Sequence, residues 1–231
     1  MLPGAILALL GVLVAIHLAR TFVLNEQGDF DLTLWFAFIP LRWLNPEAFP
    51  GGQLPLLWTP LTHALLHAGW EHLIINCAWL AIFGTPVARR YGAAPTLLVF
   101  AISAIAGALA FAATTLPNLQ LLVGASGGVA GLTGAACRFI FQPVIVVRDP
   151  LSGAPRAVGR RTASLRELAL HGRARFFIGF WLVLNAAVPF LPMVLGGESG
   201  IAWQAHLGGF IAGLLIVPLF ERRPGASHDP A

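Results

Sequence analysis

Apolar runs of about twenty residues recur along this chain, each closed by a turn rich in Gly, Pro or Arg, and that recurrence leaves few folds open. A run of that length is what an α-helix needs to cross a hydrocarbon layer of ~30 Å. Six such spans are read at 2–23, 64–83, 94–115, 126–147, 176–195 and 201–220. Gly84 and Pro86 are read as closing the second, and Pro117-Asn118 as the turn after the third. The connection 25–62 is polar and aromatic, carrying Glu26, Asp29, Asp31, Glu47, Trp35, Trp43 and Trp58. Its apolar pieces, such as Leu32 to Ile39, are too short to span and suit partial burial at an interface. Residues 148–175 form a basic loop. Only 10% of the 231 residues are charged and mean hydropathy is +0.78, whereas soluble domains carry roughly 25% charged residues. The expected fold is an all-α membrane protein, a six-transmembrane-helix bundle forming one domain over 1–231.

All 14 cations are arginine, and their placement sets an orientation. Alternating the spans puts Arg89, Arg90, the arginines of 148–175, Arg222 and Arg223 on one side. Arg20 and Arg42 fall on the other, among most of the acidic loop residues. The excess of cations marks the cytoplasmic face, so both termini are expected there and the long first loop outside. The basicity therefore reports topology and headgroups rather than nucleic acid. Arg138 lies about 18 Å along the fourth helix from Ser126 and is expected near the inner interface. The run from Phe139 to Val147, broken by Pro143, either follows the cytoplasmic surface or extends the helix. Cys77 and Cys137 fall in predicted helices, where a thiol behaves as a small apolar residue.

Two short segments do not suit contact with lipid. Gly124-Ala125-Ser126-Gly127 places a serine at the start of the fourth span, and Ala205-His206-Leu207-Gly208-Gly209 places a histidine in the sixth. Polar groups at membrane depth are costly and by default face the protein interior. A serine needs a base to become a nucleophile, and His206 is the only histidine of the chain's second half within a predicted span. Gly127 with Gly131, and Gly209 with Gly213, form small-residue ridges that let helices approach closely. No Asp or Glu lies deep in a span, so a dyad without an orienting carboxylate is expected. In the second span His72 and Asn76 share a helical face and supply two donors suited to a developing oxyanion, which the Ser126 backbone N–H can join. His63 and His67 are read as structural groups tying the first loop; a metal site built on His63, His67 and His72 lacks a carboxylate and is disfavoured.

With these residues in place, the chain resembles a rhomboid intramembrane serine protease. The matching motifs are Gly124 to Gly127 at the start of the fourth helix, Ala205 to Gly213 in the sixth, and His72 to Asn76 in the second. The likeness covers about Trp58 to Phe220. It implies a cavity open to the outside and hydrolysis of a peptide bond in or near another protein's transmembrane segment. By position, Ser126 is implied as nucleophile, His206 as general base and acid, and Asn76 and His72 as oxyanion donors, with no cofactor or metal. A bacterial inner membrane is the expected location. A catalytically inactive relative that binds transmembrane helices is the alternative. Three departures from the pattern stand out. Thr59 follows Trp58 where an arginine is common, which weakens a loop anchor. Ala88 replaces a glutamate. Ala130 replaces an aromatic residue that would stack on the histidine, so Ala130→Tyr is expected to keep or raise turnover.

Overall fold

The computed structural model describes residues 1–149, 152–187 and 202–221. The elements are α1 (Gly4–Phe22), α2 (Glu26–Phe36), α3 (Trp70–Tyr91), α4 (Ala93–Thr115), α5 (Ser126–Ile140), β1 (Val144–Arg148), β2 (Pro155–Arg160), α6 (Leu165–Leu170), α7 (Gly172–Ala187) and α8 (Trp203–Ile216). Among the described residues, α1, α3, α4 and the stretch Trp203–Phe220 are long and apolar enough to cross a membrane. α5 and the described part of α7 are shorter, at 15 and 16 residues. The end of the fifth predicted span, the turn 196–200 and Arg222-Arg223 lie outside the described residues.

α5 sits at the centre, with every residue from Gly127 to Phe139 buried. Glycine makes this possible. A Cβ on Gly209 of α8 would land on the Gly127 carbonyl, and one on Gly213 would land on that of Gly131. The two ridges read in the sequence therefore meet backbone to backbone. α4 closes the third side: a Cβ on Gly131 would strike Ser103, and one on Gly128 would come within 2.6 Å of the Phe100 ring. Small residues substitute here for the hydrophobic driving force, which is missing between helices already in lipid.

Three predicted boundaries move. The second span starts at Trp70 rather than residue 64, because the chain is not helical from Leu66 to Gly69. His63 and His67 therefore precede the helix. Its predicted stop at Gly84 and Pro86 does not occur: a π-helical turn over Leu80–Gly84 leads into Thr85–Tyr91, with Pro86 in the first turn of that segment. Widening the helix by one residue accommodates the missing proline N–H. The fourth span ends at Ile140, so the helix does not extend to Val147. Val144–Arg148 pairs antiparallel with Pro155–Arg160, so the otherwise helical chain carries a small hairpin. The β-branched run Val144 to Val147 favours that state.

At the hairpin end, polar groups lock the helices together. Arg138 is buried, and donates to the carbonyls of Ala163 at 2.7 Å and Leu214 at 2.9 Å. Arg90 pairs with Glu221 at 2.8 Å, and the Tyr91 hydroxyl donates to the same carboxylate at 2.6 Å. At the other end Arg42, fully buried, donates to the carbonyls of Leu34, Pro50 and Gly52 and lies over the Phe49 ring. The first loop is thus anchored by Arg42, and Thr59 does not leave it loose. That loop begins as α2, capped by the Asn25 side chain, and reaches the serine segment through reciprocal backbone bonds between Phe38 and Leu122.

Candidate active site

Ser126 is the first residue of α5, and the chain before it is held almost entirely by histidine-bearing segments. Gly124 has φ +121°, a conformation that side chains rarely adopt, and its N–H donates to the His63 carbonyl at 2.9 Å. The Ala125 N–H donates to His67 Nε2 at 3.4 Å. The His63 ring in turn donates from Nδ1 to the Thr59 carbonyl at 3.0 Å. His63 thus ties the first loop through Thr59, as expected, and both histidines also brace the turn that presents the serine. Burial pushes His63 down to about 4. Burial, with the nearby charges of His72, His17 and Arg20, pushes His67 down to about 3. Both are neutral at pH 7, as His67 must be to accept from Ala125.

His72 reaches the same turn from α3. A Cβ on Gly124 would lie 2.7 Å from His72 Nε2 and 3.7 Å from Ser126 Oγ, so both atoms border one small volume. No side chain larger than glycine's hydrogen fits there. The Ala68 N–H approaches His72 Nδ1 at 3.5 Å, which leaves Nε2 as the ring's donor on the serine side. Asn76, one turn further along α3 and 4% exposed, donates to the His72 carbonyl at 2.9 Å and keeps a second N–H. The first-turn N–H groups of α5 add donors and the positive end of the helix dipole.

His206 lies on α8 between Ala205, whose carbonyl packs on α4 at Gly107, and Gly209, which packs on Gly127. The backbones of the serine and histidine helices are therefore in contact within three residues of both side chains. No hydrogen bond joins Ser126 to His206 among the described residues; such bonds are often long where substrate is absent. The imidazole has another partner, one that sequence reasoning missed. His206 Nδ1 and Asn185 Oδ1, from α7, are 2.7 Å apart. The signal available was that Asn185 is the one amide side chain in an otherwise apolar predicted span, where an unpaired amide is costly. Ala130 does not leave a gap beside the histidine helix either. It is buried in a cluster with Cys137, Trp181 and Phe210, in which the Trp181 and Phe210 rings stack at 4.4 Å.

The chain is similar to known proteins over most of its length. The Rhomboid domain family matches residues 55–223. The chain is 30% identical over 170 residues to the rhomboid protein YdcA of Bacillus subtilis, covering 72% of this chain and 70% of the relative. It is 27% identical over 172 residues to the rhomboid protease AarA of Providencia stuartii, covering 69% and 54%. It is 35% identical over 208 residues to the mitochondrial RHOMBOID-like protein 6 of Arabidopsis thaliana, covering 84% and 58%. The chain thus spans little more than half the length of the last two.

Proposed function

The chain belongs to the rhomboid family, and on that premise we propose that it is a serine endopeptidase acting inside the membrane. Its substrates are membrane proteins, cut in or near a transmembrane segment. One observation carries the reading: Ser126 opens a buried helix beside His72 Nε2, and that helix packs without side chains against the helix of His206. A serine posed at a helix start, with donors converging on it, is built to receive a carbonyl oxygen that gains charge.

In this mechanism His206 Nε2 takes the proton from Ser126 Oγ as the oxygen attacks the scissile carbonyl carbon. The tetrahedral oxyanion is held by His72 Nε2–H, the free Asn76 N–H and the Ser126 N–H. Collapse breaks the C–N bond, and the imidazolium returns its proton to the departing amine. Water, deprotonated by His206, then attacks the acyl-enzyme; the second collapse releases the carboxylate product and restores Ser126.

The placement of the arginines supports an orientation. Arg89, which donates to the Met1 carbonyl, and Arg90, which pairs with Glu221, bring both described chain ends to the arginine-rich side. We assign that side to the cytoplasm and the serine end to the opposite leaflet, with six crossings in all. A bacterial inner membrane fits the similarity to YdcA and AarA.

The deciding experiment is cleavage of a single-span protein by the purified enzyme in lipid, beside Ser126→Ala and His206→Ala. Cleavage lost in both variants supports the dyad. Cleavage that survives either substitution rules it out. A folded parent that binds the span without cutting it moves the chain to the inactive, helix-binding class.

A further inference from the structure

Asn185 carries a role that the dyad reading leaves open. Its amide is oriented by two contacts. Asn185 Nδ2 donates to the Trp181 carbonyl at 2.8 Å, one turn back on α7. A backbone carbonyl can only accept, so the NH2 end must face Trp181 and the oxygen must face the imidazole. That oxygen lies 2.7 Å from His206 Nδ1 and cannot donate. The proton of the pair therefore sits on Nδ1. A neutral imidazole carries one N–H, so Nε2 is left with its lone pair free. We propose that Asn185 is a positioning residue that fixes His206 in the Nδ1–H tautomer, the form able to take a proton from a serine through Nε2.

The helices carrying the two groups are held in register by a second contact. Trp181 lies four residues before Asn185, and Phe210 lies four residues after His206. The Trp181 and Phe210 rings stack at 4.4 Å with an interplanar angle of 22°. Two adjacent turns of α7 thus meet two adjacent turns of α8, one pair apolar and one hydrogen-bonded. An amide suits this depth better than a carboxylate, since it orients the ring without adding a charge in low dielectric. The bond also survives the reaction. When His206 becomes imidazolium, Nδ1–H still donates to Asn185 Oδ1, so the ring is held throughout a turnover.

The catalytic consequence rests on the Ser126–His206 reading, whereas the tautomer does not, and the test separates the two. The protein is labelled with 15N-histidine and reconstituted in lipid bilayer discs. Its His206 ring nitrogens are identified by their loss in His206→Ala, and spectra are recorded at neutral pH for the parent, Ser126→Ala, Asn185→Leu and Asn185→Asp. We expect the Nδ1–H tautomer in the parent and in Ser126→Ala, a mixed or Nε2–H population in Asn185→Leu, and recovery in Asn185→Asp, which keeps the acceptor. In cleavage assays Asn185→Leu is expected to lose roughly 100-fold or more in kcat with little change in KM, and Asn185→Asp to regain most of it. An Nε2–H signal in the parent, or an Nδ1–H signal that persists in Asn185→Leu, overturns the proposal. The expected tautomers in a protein that cleaves nothing would uphold Asn185 and sink the protease reading instead.

Discussion

α5 and α7 are nearly equal in described length and both flank His206, yet they are built on opposite plans. From Gly127 to Phe139 α5 is buried throughout, and its glycines bring its backbone against those of α4 and α8. In the described part of α7 only Ala174 and Trp181 are buried, and a Cβ on Gly179 would meet nothing within 4 Å. The helix that Ser126 opens is thus fixed by close main-chain packing. The orienting amide stands on a helix held by a few side-chain contacts. The first plan gives precise placement of Ser126; the second lets a neighbouring helix contribute one hydrogen bond without rebuilding the core.

The same chemical change at two glycines breaks the comparison most directly. Gly213→Ala drives a methyl onto the Gly131 carbonyl, where backbone rather than a flexible side chain must yield. We expect it to part α5 from α8 and to abolish activity, with a fall in thermal stability of several kcal/mol, beyond the ~1–3 typical of overpacking. Gly179→Ala on α7 enters open space and is expected to leave the midpoint unchanged or raise it slightly, since alanine favours a helix by about 0.5–1 kcal/mol. Thermal unfolding in detergent, with cleavage as a second readout, decides this. Equal effects at the two sites would remove the distinction between the helices.

Arg138 extends the tight region to the hairpin end, so its loss is the next largest effect expected. Arg138→Met keeps the aliphatic stem but strands the carbonyls of Ala163 and Leu214, each losing a charge-assisted bond worth ~1.5–3 kcal/mol. A destabilisation of about 3 kcal/mol is expected, with protease sensitivity rising first in the segment around Ala163. A neutral result would mean that water replaces the guanidinium there.

Ala130 lies where the two plans meet, and here the sequence misled. The expectation that tyrosine keeps or raises turnover assumed an empty site beside His206. Trp181, stacked on Phe210, already fills the space around Ala130 from α7. Ala130→Tyr is now expected to overpack the cluster, costing about 1–3 kcal/mol and lowering cleavage by displacing α7 and with it Asn185. Turnover at or above the parental level would show that α7 moves aside freely, which would sharpen the contrast further.

What could be read in advance follows from where each signal resides. Ser126, His206, His72 and Asn76 could be picked out as candidates because motif, glycine spacing and helical period all lie within single segments. The Gly127/Gly131 and Gly209/Gly213 ridges foretold the α5–α8 contact because small residues at i and i+4 admit few other uses in lipid. Asn185 was not paired with His206 because its partner lies 21 residues away, and no local pattern encodes that approach. The hairpin was present as the β-branched run Val144 to Val147 but was hidden by its continuity with an apolar helix. The start of α3 was misplaced because Ala64 to Leu66 look apolar, while Ala64 and Leu65 belong to a separate short turn, His63–Leu65, whose first carbonyl accepts from Gly124.

The smallest effect expected tests how the rigid side is held at its histidine braces. His63 has its folded value lowered from 6.5 to about 4 by burial, and its ring donates to Thr59. A histidine whose protonated form is disfavoured on folding binds more protons when unfolded. Stability therefore falls as pH drops from about 6.5 toward 4, and the loss is complete once the folded ring also titrates. Within that window the slope approaches ~1.4 kcal/mol per pH unit for one proton. His67, with its value near 3, adds a similar dependence that continues lower. Asparagine keeps a donor in nearly the position of Nδ1 but does not titrate. The parent is thus expected to lose up to ~1.4 kcal/mol more than His63→Asn between pH 6 and 5, with the difference vanishing near pH 7.5, as read from paired unfolding curves. Parallel pH profiles would place the cost of acid elsewhere, and leave His63 in the serine turn as a spacer rather than a titrating brace.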